Sequence, residues 1–142
     1  MSVLVDTGVF YAHHDEDAER HSDAVAAFDE LLDGTYGQPY TTDYVLDETV
    51  TLTRVRTGSF DAADMVASRI LGEDSFPNVF ETLHVEPDEV RAALETFRGY
   101  DDHTLSFTDA TSIALCGSRG IDAVLSFDDD FDGLVERVRP SE

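Results

Sequence analysis

The chain has 142 residues, with 31 Asp plus Glu against nine Lys plus Arg and a formal net charge of −22. That length supports one domain with a real core but not two. The acid excess excludes the broad basic surface that is the usual footprint of a nucleic-acid binder, and a 42% hydrophobic content arranged in periodic blocks excludes a disordered acidic tail.

Strand and helix signals alternate along the chain. The N-terminus, MSVLVD, has no basic stretch leading into an apolar one, so no signal peptide is expected and the expected location is cytoplasmic. Ser2–Val5 is predicted as a buried strand ending at Asp6. A helix is predicted over residues 17–32, with Ala18, His21, Val25, Phe28 and Leu32 on one stripe and Gly34 closing it. QPYTT (38–42) is predicted as a second strand. Residues 44–56 are predicted as a helix with Val45, Leu46, Val50 and Leu52 apolar, and residues 60–71 as another, begun by Ser59 or Asp61 and ended at Gly72.

VFETLHV (79–85) alternates and is predicted as the third strand. Pro87 suits the first turn of a helix reaching about Phe97. Ser106 and Asp109 form a capping pattern for a helix running to Arg119 and Gly120. Its Cys116, in IALCGS, is the only cysteine, which excludes an intramolecular disulfide and a cysteine-cluster zinc site. DAVLSF (122–127) is predicted as a fourth strand and LVERVRP (134–140) as a short fifth. No apolar run is long enough to span a membrane. The pattern predicts one α/β domain over residues 1–142, a mainly parallel sheet of four or five strands covered by helices on both faces.

All nine cations are Arg; there is no Lys. Self-repulsion at this charge is strong in an ordinary cytosol. In molar salt the Debye length falls to ~3 Å, so the composition predicts adaptation to a salt-rich, halophilic cytoplasm.

With 31 acids, position must select the functional ones. Ligands of open parallel sheets gather beyond the carboxyl ends of the strands. Asp6 ends the first strand, Asp128 follows the fourth, Asp109 lies in the first turn of the helix leading into the fourth, and Glu48 lies one turn into the helix after the second. All four can reach one end of the sheet. Grouped carboxylates raise one another's pKa, a conflict that a hard divalent cation such as Mg²⁺ or Mn²⁺ resolves while polarising a phosphoryl oxygen and activating water.

The segments VLVDTGVFYA (3–12), YTTDYVLDETVTL (40–52), LSFTDATSIALC (105–116) and DAVLSFDDDFDGL (122–134) resemble, in order and spacing, the four acidic motifs of the PIN-domain nucleases, in particular the VapC-type toxins of toxin–antitoxin pairs. The resemblance implies a PIN-like three-layer α/β/α fold and a metal-dependent ribonuclease. Asp6, Glu48, Asp109 and Asp128 would hold one or two Mg²⁺ or Mn²⁺ ions, with Thr7 and Ser126 in support. It also implies cleavage in single-stranded loops of structured RNA, a homodimer, and inhibition by a cognate antitoxin, for which the groove beside residues 44–56 and 60–71 is the expected docking surface. Gly8 departs from the pattern, since many members carry Asn there.

Other polar residues have plainer readings. Asp43 and Asp47 cannot converge with Glu48, which points about 100° from Asp47 on a helix; Asp43 suits the helix dipole. Asp129 and Asp130 are expected to be solvated or capping residues before a core anchor at Phe131. His13, His14 and His21 are expected in loop or packing roles, and Arg54 and Arg56 offset the dipole at a helix C-terminus, with contact to RNA phosphate as the alternative. A receiver or phosphatase reading fails for want of a lysine. A housekeeping PIN nuclease in RNA processing, or a non-catalytic PIN-fold binding module, remains the alternative.

Overall fold

The computed structural model describes residues 1–140; the last two residues of the domain expected over 1–142 lie outside it. Five strands, β1 (Ser2–Val5), β2 (Gln38–Thr42), β3 (Glu81–Leu83), β4 (Ala123–Leu125) and β5 (Arg137–Val138), form one sheet in the order β3-β2-β1-β4-β5. Every neighbouring pair is parallel, with Val3 opposite both Pro39 and Ala123. The helices are α1 (Thr7–His14), α2 (His21–Asp33), α3 (Asp43–Thr57), α4 (Phe60–Leu71), α5 (Pro87–Gly99) and α6 (Phe107–Arg119). From β1 the chain steps outward to β2 and β3, then returns across the sheet to β4 and β5. Parallel crossovers are right-handed as a rule, and wound in opposite directions from β1 they carry helices to both faces, which gives the α/β architecture that the alternation predicts.

β1, β2, α4 and the Ser106 cap of α6 match their expected positions closely, and Thr42 adds a cap on α3 that the sequence pattern did not single out. Thr42 Oγ1 accepts from Val45 N–H (3.0 Å) and Ser59 Oγ from Ala62 N–H (3.1 Å), each satisfying a donor that the first helical turn leaves open. The terminal strands are shorter than expected, because β3 and β5 are edges with one partner each and pair only over Glu81–Leu83 and Arg137–Val138.

Three expectations need correction. Residues 7–14 form a helix, which the sequence reading passed over. Val9, Phe10, Tyr11 and Ala12 are all buried, so α1 lacks the polar face that makes a helix periodic. The second helix starts at His21 rather than residue 17, because Asp15 organises a turn there: its carbonyl accepts from Ala18 N–H and its Oδ1 from Asp17 N–H. Its buried face is Ala24, Ala27, Phe28 and Leu31, while Val25 and Leu32 are exposed. On α3 the buried stripe is Val45, Thr49 and Thr53 rather than Val45, Leu46, Val50 and Leu52. The two threonine hydroxyls donate to the carbonyls of Val45 and Thr49 (2.7 and 2.8 Å), so the polar groups are satisfied within the helix and the methyls face the core.

Phe131 is fully buried and anchors the loop after β4, as expected. Cys116 is buried and free. His13 stacks on Phe28 (centroids 3.7 Å apart) and His21 Nδ1 donates to Ala12 O (2.8 Å), so these histidines serve packing. No helix among the described residues is long and apolar enough to cross a membrane.

The helices α5 and α6 are joined by a charged pair. Glu89 is buried and receives Nε and Nη2 of Arg119 (2.8 and 2.9 Å), the Ser118 hydroxyl and the Glu86 N–H. The guanidinium chiefly holds the carboxyl down from 4.5 to about 2. A depressed carboxylate stabilises the fold fully above its unfolded pKa and loses that contribution as pH falls through the folded value. Arg119→Ala leaves Glu89 buried without its cation, at an expected cost of about 3 kcal/mol. Thermal unfolding in high KCl should therefore show Tm lowered by roughly 5–10 °C near neutrality, with the gap to the unaltered protein closing as pH falls from 4.5 to about 2.

Candidate active site

The order β3-β2-β1-β4-β5 reverses its direction of winding between β1 and β4, and in such sheets the crevice beyond the strand carboxyl ends opens at this point. A cleft of about 620 Å³ lies there, and Asp6, Glu48, Asp109 and Asp128 all line it, together with Thr7. The four carboxylates named from the sequence come from the end of β1, the second turn of α3, the first turn of α6 and the loop after β4.

Ser126 fastens two of them. It is fully buried at the end of β4; its hydroxyl donates to Asp6 Oδ2 (2.7 Å) and accepts from Asp128 N–H (2.9 Å). Asp6 occupies the N-cap position of α1 yet makes no side-chain cap bond, because its carboxylate is turned to Ser126 instead. Burial, reinforced by Asp109 and Glu48, pushes its pKa up to about 7. Asp109 is held by a reciprocal capping box. Its Oδ2 accepts from Ser106 N–H (3.1 Å), and its own N–H donates to Ser106 Oγ (3.0 Å). Burial, then the charges of Asp128 and Glu48, raise it to about 6. Glu48 is half-buried, two turns before Arg56 on the same face of α3. Thr7 Oγ1 is buried with no hydrogen-bond partner among the described residues.

Asp128 is half-buried and its pKa is raised by burial and by the charges of Asp130 and Asp129. Its Oδ1 accepts from Asp130 N–H (2.9 Å), capping the short 3₁₀ turn Asp129–Phe131. Asp129 is exposed, and Asp130 accepts from the Thr104 hydroxyl. The neighbours of Asp128 are thus a solvated residue and a loop tie. One carboxylate oxygen from each of these three consecutive aspartates lies within 4.8 Å of the others, a clustering that follows from their adjacency in one tight turn. Arg137 braces the same loop, pairing with both oxygens of Asp132 (2.7 and 3.1 Å) and donating to Ser126 O (3.1 Å).

Asp43 and Asp47 do not line the cleft. Asp43 Oδ1 accepts from Tyr44 N–H and Val85 N–H (3.0 and 3.1 Å), and Asp47 is exposed. Gly8 lines the cleft, and a Cβ there would sit 4.0 Å from Asp6 Oδ2, an ordinary contact, so the small residue is not required by space. The sequence reading missed the walls: Tyr11, Asp15, Arg20, Leu52 and Thr104 also line the cleft. For two walls the signal was the four-residue spacing of 7, 11 and 15 and of 48, 52 and 56; the first is usable only once residues 7–14 are read as helical. The donors are carboxylate and hydroxyl oxygens throughout, a set that suits hard divalent cations.

Comparison with known proteins agrees with this arrangement. The profile of the PIN domain matches residues 3–136. The VapC ribonuclease of Archaeoglobus fulgidus is 28% identical over 113 residues, 79% of this chain and 68% of that protein. The 23S rRNA-specific endonuclease VapC20 of Mycobacterium tuberculosis is 37% identical over 102 residues, 70% of this chain and 72% of that protein. The crystal structure of VapC20, described as a Sarcin-Ricin loop cleaving toxin, superposes with a TM-score of 0.78 at 34% identity, covering 97% of this chain and 99% of that one. The chain belongs to the PIN-domain family.

Proposed function

We propose that this protein is an endoribonuclease that hydrolyses RNA phosphodiester bonds and is the toxin of a toxin–antitoxin pair. The observation that carries the reading is the convergence of Asp6, Glu48, Asp109 and Asp128 on one cleft at the sheet's reversal point. Its relatives named as VapC ribonuclease and 23S rRNA-specific endonuclease support the reaction class, and a structured RNA cut in a single-stranded loop is the substrate we propose.

The four carboxylates are proposed to hold one or two divalent ions, Mg²⁺ or Mn²⁺. The fit rests on the donor set: all are hard oxygen ligands, and they crowd negative charge into a cleft where burial already raises two of them. A bound ion supplies Lewis-acid polarisation of the phosphoryl oxygen and an activated water. The chain's own part is positional. Ser126 sets the spacing of Asp6 and Asp128 by bonding to both, and the capping box fixes Asp109. Thr7 brings a buried hydroxyl to the same floor. The acidic surface is read as adaptation to a salt-rich cytoplasm, and the protein as a single domain acting there as a homodimer.

The antitoxin is placed against α3 and α4, where a recess of about 370 Å³ is lined by Val50, Val55, Phe60, Ala63 and Ala67, with Val55 75% and Phe60 66% exposed. An amphipathic partner helix is the matching occupant.

Cleavage of RNA in high KCl with Mn²⁺ tests the site. Ser126→Ala should lower activity about 10–100-fold, the usual effect of losing a residue that orients a metal ligand, and Asp6→Asn and Asp109→Asn should lower it further. Chelation should abolish cleavage and added Mn²⁺ or Mg²⁺ restore it. Undiminished cleavage by both Asn variants would remove these residues from the site. Phe60→Asp should weaken binding of a cognate antitoxin while leaving RNA cleavage intact; a housekeeping nuclease would have no antitoxin encoded beside it and cause no growth arrest on expression.

A further inference from the structure

The cleft poses an electrostatic problem. Its floor is carboxylate, Asp15 and Glu19 add to its walls, and the whole chain carries −22, yet its proposed substrate is a polyanion. Two arginines line the same cleft, Arg20 and Arg56. Each is exposed, and among the described residues neither makes an ion pair with a carboxylate. Arg54, Arg69 and Arg98 also lack a carboxylate partner among the described residues, but only Arg20 and Arg56 line the cleft. Arg91, Arg119 and Arg137, by contrast, are all paired with carboxylates.

Each of the two is held instead by an aromatic ring. The Arg20 guanidinium sits over Phe127, 5.0 Å from the centroid, and that of Arg56 over Tyr11, at 4.7 Å. A cation–π contact positions the group while using none of its five N–H donors. The rings are themselves tied to the floor. Phe127 lies between Ser126 and Asp128, and Tyr11 is one turn along α1 from Thr7. Arg56 stands two turns beyond Glu48 on α3, roughly 12 Å along the axis, and Arg20 stands in the segment between α1 and α2. The cations therefore come to the cleft from different walls, clear of the carboxylate floor.

We infer that Arg20 and Arg56 form a phosphate clamp that grips the RNA backbone on either side of the scissile bond. The inference rests on the ribonuclease reading above. Planar guanidinium groups with free donors match phosphate oxygens bidentately. Two such contacts give an acidic protein a hold on RNA without a basic surface. They also let the attraction act only where the strand enters the cleft.

The test is steady-state cleavage of a labelled single-stranded RNA with Mn²⁺ across a KCl series, using Arg20→Gln, Arg56→Gln, the double variant, and Arg20→Lys and Arg56→Lys. Because both side chains are exposed, folding should be retained, and circular dichroism checks it. Each Gln variant should raise KM roughly 10-fold with kcat changed far less. Each should also reduce the slope of log(1/KM) against log[KCl] by about 0.7, the loss of one phosphate contact to a single strand. The Lys variants should recover the slope and only part of KM. Mn²⁺ affinity measured by calorimetry on the protein alone should be unchanged. If the unaltered protein cleaves but KM and slope are the same in the Gln variants, the clamp is overturned and the ribonuclease reading stands. Tighter Mn²⁺ binding with unchanged KM would make the arginines mere counter-charges of the floor and also overturn it. Lost affinity for an acidic protein partner with unchanged RNA kinetics would assign them to that partner instead. If the unaltered protein cleaves no RNA, both readings fall.

Discussion

The side-by-side pairing of β1 and β4 is the constraint on which the site depends. These strands are 118 or more residues apart in sequence, and their register sets Val5 against Leu125. The next residues on each strand are then Asp6 and Ser126, and the bond between them follows from that register. A slip of one position would turn the side chain of the slipped strand to the other face, leaving Asp6 and Ser126 on opposite sides of the sheet. The reversal of winding between β1 and β4 keeps helices from covering this edge, which leaves a cleft where the two strands end.

Around this junction the chain spends its polar groups on holding charge in place. Ser126 bonds forward and back, the capping box restrains Asp109, and Arg137 clasps Asp132 and the Ser126 carbonyl beneath the loop. Burial raises Asp6 and Asp109 well above the ordinary carboxylate range. Such a floor is unfavourable by itself and becomes favourable with a cation. The stability that offsets it comes from elsewhere, from the fully buried Leu4, Val5, Leu125 and Phe131 and from the Glu89–Arg119 pair across α5 and α6. Among the arginines, Arg119 and Arg137 brace the fold, while Arg20 and Arg56 face the cleft.

Much of this was legible in the residues. Four carboxylates could be chosen from 31 because strand ends and helix first turns are local features, marked by apolar runs and by Ser106 and Pro87. The helix α1 was not legible, since a helix buried nearly all round has no polar face to announce it. The face of α2 was misread by one residue. Alanines at 24 and 27 fit under the neighbouring helix, whereas the larger Val25 and Leu32 stay outside, a choice made by available space rather than by hydrophobicity. The inward Thr49 and Thr53 of α3 escaped notice for a related reason: a threonine is apolar once its hydroxyl bonds the preceding turn.

By itself, then, the sequence determined the alternating α/β pattern, the single cysteine, the acid excess and the identities of the four cleft carboxylates. These depend on short-range chemistry: periodicity, capping and turn residues. Only the tertiary structure decided that Ser126 joins Asp6 to Asp128, that Asp130 bonds Thr104 rather than facing the cleft alone, and that Arg20 and Arg56 rest on Phe127 and Tyr11. Those contacts link residues brought together by parallel pairing and helix crossovers, and no local pattern encodes a neighbour that lies 120 residues away.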